Sequence, residues 1–149
     1  MKIFKSFMPE IKLKYKPSPY PKCKISSALD AYTTLLEIYD DDTVDYIETA
    51  YVLYLNRNNQ TIGWLKLSEG GTTATLMDPK VIFATALKCN ASALILCHNH
   101  PSGKLSPSKE DIAVTENVAS IGSLLNINVF DHLIITRSDY LSMNEDGYL

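Results

Sequence analysis

The order of apolar and polar positions divides the chain into recognisable elements. Near the start, Ile11, Leu13 and Tyr15 alternate with lysines, the period of a half-exposed strand. Pro17, Pro19 and Pro21 then predict an extended connector. Ser27 with Asp30 three residues on reads as a helix start with a short-acid capping box. Leu29, Tyr32, Leu36 and Tyr39 follow at helical spacing, which gives 27–39 one apolar face. The run 51–55 is strongly β-prone and is closed by the turn-rich stretch 56–59. A second strand over 61–68 makes 49–68 a predicted hairpin, broken by Gly70 and Gly71. Asp78 and Pro79 supply a cap and a first-turn proline for a helix reaching Lys88 or Cys89. The run 93–97 is short and wholly apolar, as in a strand buried on both faces. Pro107 and Ser108 open another helix, with Ile112, Val118 and Ile121 among its apolar positions and Gly122 near its end. A last strand spans 127–136, with a short polar tail after it. Strands alternating with helices predict a three-layer α/β domain, and the hairpin makes its sheet mixed.

Composition places these elements in one domain. The 149 residues suffice for one proper core, and 46% hydrophobic with 21% charged residues is the balance of a soluble globular protein. No stretch approaches the roughly 18 apolar residues of a membrane span, and the first residues lack the apolar core of a signal peptide. Cys23, Cys89 and Cys97 are odd in number and lack disulfide spacing, so a reducing, cytoplasmic setting is expected. The net charge of −3 is uneven. Residues 2–24 hold seven lysines and one acid, whereas 30–48 hold seven acids and no base. We therefore expect a basic arm and proline-rich connector over 1–24, capable of weak nucleic-acid contact, and a folded domain over 25–149.

Chemistry concentrates in 98–111. His98 and His100 lie two apart at the end of a predicted strand, so the pleat points both imidazoles to one side. Two neutral imidazoles supply half of a tetrahedral zinc site, and Asp111 from the first turn of the next helix can be a third ligand. Three protein ligands leave one position for water, the arrangement of a catalytic zinc. The Ser108 and Asp111 pair also has the spacing of a capping box, and the two roles are compatible.

His98, His100 and Pro101, followed by Ser108 and Asp111, resemble the JAB/MPN metalloprotease signature, also called the JAMM motif. The longer string from His98 to Gly103, then Pro107, Ser108 and Asp111, and later Asp131 and His132, resembles the RadC-like JAB domain of bacteria. The resemblance covers about 25–145. It implies a cytidine-deaminase-like three-layer fold, one Zn2+ per chain held by His98, His100 and Asp111, and hydrolysis of a peptide or isopeptide bond in a peptide or protein substrate. It places the intermediate-holding serine on Ser108 and the general base on Glu48, just before the first strand of the hairpin; Asp45 competes for that role by sequence alone. Ala50 stands where many relatives carry a bulky aromatic.

Other readings are weaker. The letters of His98, Asn99 and His100 do not make an HNH nuclease, whose residues are spread over a larger element. A zinc deaminase would need a Pro-Cys-x-x-Cys motif, which the chain lacks. Cys97 should face away from His98 into the core, and His132 reads first as a satisfied structural histidine, with support of a metal ligand as the minor reading. The competing function is a DNA-repair or mobile-element-associated module that binds nucleic acid or a partner. The helix-hairpin-helix segment that often accompanies RadC-like domains is not within this chain.

Overall fold

The computed structural model describes residues 8–11, 14–19, 21–70 and 77–149. Helix α1 spans Ala28–Leu36, with the Ser27 side chain accepting from Asp30 N. A hairpin follows, strand β1 (Thr49–Leu55) and strand β2 (Thr61–Glu69). Helix α2 (Pro79–Lys88) starts behind an Asp78 cap that accepts from Lys80 N. Strand β3 covers Ala93–Asn99, helix α3 Lys109–Leu124 and strand β4 Asn128–Ile135. A three-residue strand β5 (Tyr140–Ser142) completes a sheet of order β2-β1-β3-β4-β5. Among the described residues only the β3–β4 pair is parallel; β1 runs antiparallel to both of its neighbours, so the sheet is mixed.

Alternation along the central strands builds two cores. Tyr51, Leu53, Leu55, Ile95 and Cys97 point to one face, where Ala31, Tyr32 and Leu35 of α1 cover them. Ala50, Val52, Tyr54, Leu94 and Leu96 point to the other, against Ile82, Phe83 and Ala86 of α2 and Val118 of α3. The result is the expected three-layer α/β arrangement. All seven residues of β1 and of β3 are buried, which explains why both read as apolar runs without a polar face.

Three local expectations change. The α1 helix ends at Leu36 and continues as turns, because Tyr39 leaves the helix to pack in the α1-side core with its hydroxyl on Thr49 O. The strand expected over 11–15 is not formed at Ile11, Lys14 or Tyr15; positions 12 and 13 lie outside the described residues. Instead Tyr15 donates to Ile62 O, and residues 23–25 pair with 59–61 at the start of β2. The short polar tail contains β5, held because Asp131 accepts from Ser142 Oγ and Asn144 N. Gly71, one of the expected hairpin breakers, lies outside the described residues; Gly70 adopts φ +74°. Among the described residues, no helix is long and apolar enough to cross a membrane.

Candidate metal centre

The site lies where the end of β3, the start of β1 and the N-terminus of α3 meet. His98 is the last residue of β3 on the α2/α3 face, directly opposite Ala50 in the ladder. His100 follows beyond the strand, where the chain curls back on itself: Gly103, at φ +82°, donates to His100 O. The curl brings the Lys104 carbonyl 2.7 Å from His100 Nδ1. A carbonyl only accepts, so in the neutral ring Nδ1 carries the proton and His100 Nε2 is left bare. That Nε2 lies 3.0 Å from His98 Nε2.

Asp111 enters from the first turn of α3. Its Oδ2 accepts from Ser108 N at 2.8 Å while Ser108 Oγ accepts from Asp111 N at 3.0 Å, a complete capping box. Its Oδ1 stands 3.3 Å from His98 Nε2, and Oδ2 stands 3.6 Å from His100 Nε2. Burial would raise this carboxyl, but the rings of His100 and His98 and the Ser108 N–H outweigh it and hold it well below the usual range. The same carboxylate raises His100 against the opposing effect of its burial.

Glu48 arrives from the other side. Its Oε1 is 3.9 Å from His98 Nε2, and ligand-type atoms of Glu48, His98 and His100 all fall within 4.8 Å of one another. This cluster could hold a metal ion. Two features of the donor set fit a cation. Asp111 Oδ1 is fully buried and has no hydrogen-bond donor, an arrangement that normally costs about 1–3 kcal/mol or more for a charged group. Beside it, 3.3 Å away, is His98 Nε2, itself 3.0 Å from His100 Nε2, and a cation among these three atoms would satisfy them together.

The expected site residues thus divide clearly. Glu48, His98, His100 and Asp111 come together, and Ser108 lines the same groove of about 370 Å³ with Glu48, His100 and Lys104. Asp45, the rival base, is instead paired with Arg137 at 3.0 Å on the surface. Cys97 faces the opposite core, as its strand position implied, and burial pushes its thiol up to about 12.

Two groups outside the expected ligand and catalytic set support the site. Asn99, between the two histidines, turns its amide to the α1 side. It accepts from Thr49 N at 2.7 Å and donates to Val44 O and Ile47 O, so it clamps the loop that delivers Glu48. The Glu48 carbonyl is fixed in turn by Gly70 N. His132, read first as structural, has Nε2 2.7 Å from His98 Nδ1. The available signal was alternation: His132 shares a sheet face with His98 once β3 and β4 are placed side by side.

A mixed sheet between helices, with paired imidazoles at a strand end and a carboxylate at the next helix entrance, defines a three-layer α/β domain with a candidate metal centre. The model described as RadC-like JAB domain matches residues 25–148, and the chain belongs to that family. Relatives named UPF0758 protein include one from Flavobacterium johnsoniae, 40% identical over 83% of this chain and 53% of the relative. One from Methanococcoides burtonii is 40% identical over 87% and 55%, and one from Staphylococcus carnosus is 38% identical over 90% and 58%. The chain spans little more than half the length of these relatives.

Proposed function

We propose that this domain is a zinc-dependent hydrolase that cleaves an amide bond in a peptide or protein. His98, His100 and Asp111 are the ligands, Glu48 is the general base and Ser108 steadies the intermediate. The observation that carries this reading is the buried Asp111 Oδ1 without a donor, set against two imidazole Nε2 atoms. Zinc held there would lower the pKa of a bound water toward neutrality and polarise the scissile carbonyl. Glu48, with its side chain 23% exposed at the groove, takes a proton and returns it to the leaving amine. Ser108 uses only a lone pair of its oxygen for the cap, so its hydroxyl proton remains to donate toward the developing oxyanion.

Metal analysis and a peptide-library digest test this. Wild-type protein should carry about one zinc per chain, and His98→Ala or Asp111→Ala should lose it. Glu48→Gln should keep zinc and melting temperature while hydrolysis falls by at least about 10²-fold. Full activity in Glu48→Gln removes the assigned base, and wild-type protein empty after zinc-replete expression removes the reading. The second reading, a nucleic-acid-binding module, draws on the exposed Lys14, Lys16, Lys22 and Lys24 of the arm.

A further inference from the structure

His132 is completely buried, yet no step above uses it. Both of its ring nitrogens are engaged, Nε2 with His98 Nδ1 at 2.7 Å and Nδ1 with Thr115 Oγ1 at 2.6 Å. The proton positions follow from the far end of this row. Thr115 Oγ1 lies 2.6 Å from the Asp111 carbonyl oxygen, which can only accept. Two bare oxygens would repel at that distance, so the hydroxyl proton lies between them. Thr115 Oγ1 must then accept from His132 Nδ1–H. A neutral imidazole has one ring proton, so His132 Nε2 is an acceptor and His98 Nδ1–H is its donor. His98 is left with a bare Nε2, on the side where His100 Nε2 and Asp111 Oδ1 lie.

We propose that His132 and Thr115 are positioning residues of the metal centre: their one-way row of hydrogen bonds fixes His98 in the Nδ1–H tautomer and aims its free Nε2 into the site. The proposal deepens the zinc reading and rests on it. The row begins and ends on the same two ligands, because the Asp111 backbone anchors Thr115 while the His98 ring receives the result. His100 reaches the same tautomer through the Lys104 carbonyl. The two histidines are therefore prepared separately, one from the buried interior and one from the loop.

Three substitutions in the full chain test the row. Thr115→Val keeps the volume and removes the acceptor of His132 Nδ1–H, so the imidazole pair can reverse its protons and place one on His98 Nε2. Thr115→Ser restores the hydroxyl. His132→Phe keeps a ring and removes both nitrogens. Imidazole nitrogen NMR of the zinc-free proteins reads the tautomer, and competition with a chromogenic chelator reads the affinity for Zn2+ alone. Wild type and Thr115→Ser should show His98 as Nδ1–H. Thr115→Val and His132→Phe should lose that tautomer and bind zinc roughly 10–100-fold more weakly, the usual cost of removing a hydrogen-bond partner of a metal-ligating histidine. If His132→Phe fails to fold, Thr115→Val decides alone. Zinc bound equally by wild type and Thr115→Val, or a wild-type His98 protonated at Nε2, overturns the positioning role and leaves the zinc reading standing. Wild-type protein with the Nδ1–H tautomer but no uptake of zinc overturns the zinc reading, and with it the assignment of His132 and Thr115 to a metal.

Discussion

Between His98 and His100 the pleat turns Asn99 to the far side of the sheet, and three backbone groups from a loop about 50 residues away, two of them buried, depend on its amide. Asn99→Leu would fill much the same space and leave Thr49 N, Val44 O and Ile47 O unsatisfied. Each buried loss costs about 1–3 kcal/mol, and two of the three groups are buried, so stability should fall by roughly 2 kcal/mol or more. Hydrogen exchange should locate the damage, with protection lost first over 44–49, and zinc content unchanged; protection as in wild type at those amides would show that the clamp is dispensable. The two imidazoles were legible in the sequence because their spacing of two matches strand alternation, although His100 lies just past the end of β3. Asn99 was not, because its partners are main-chain atoms, which carry no residue type to recognise. Pattern alone likewise did not separate Glu48 from Asp45; the fold sets Glu48 beside His98 and pairs Asp45 with Arg137.

At the scale of elements, boundaries set by local chemistry were readable. The Asp78 and Pro79 opening, the Ser108 cap and the two fully apolar strands occur as the pattern predicts. The failures are short or tertiary: β5 has three residues and depends on Asp131, and the lysine-alternating stretch near the start lacks a partner strand along the described positions. Helix α3, which presents Asp111, is seated by Gly122. A Cβ there would run into the Ile127 carbonyl oxygen and press Val129 Cγ2 at 3.1 Å. Alanine in a helix interior is ordinarily worth about 1 kcal/mol over glycine, but here the clash reverses the sign. Gly122→Ala should destabilise by about 1–3 kcal/mol in denaturant unfolding, whereas Ser123→Ala, on the exposed next position, should be neutral or slightly stabilising. A stabilised Gly122→Ala would mean that α3 can lift from β4 without cost.

For the whole molecule, charge separates into a lysine-bearing arm and an acidic ledge. Asp41 and Asp45 of the ledge meet Arg137, and the described lysines of the arm face solvent. Cutting the arm away would be a poor test of nucleic-acid contact, because Cys23, Lys24 and Ile25 pair with the hairpin and Tyr15 bonds Ile62. Exchanging Lys2, Lys5, Lys12, Lys14, Lys16 and Lys22 for glutamine in the full chain keeps those contacts. If the arm binds polyanions, DNA retention by the native chain should fall steeply between about 50 and 200 mM salt and disappear in the exchanged chain. Retention that survives the exchange places binding elsewhere, and no retention by either chain removes it. Sequence alone could find the charge but not the anchoring, since a two-residue bridge has no pattern of its own.

The burial of β1 along its whole length has a consequence for the chain as it is being made. Its hairpin partner β2 follows within six residues, and α1 precedes it, but its other neighbour β3 begins only at residue 93. The helix that covers Ala50, Val52 and Tyr54 begins only at Pro79. At usual rates of translation the 38 residues from 55 to 93 take roughly 2–8 seconds. During that interval a nascent chain offers one open strand edge and one uncovered apolar face, the features that favour aggregation and chaperone capture. Slow codons between residues 70 and 92 would prolong this exposure, and fast ones would shorten it.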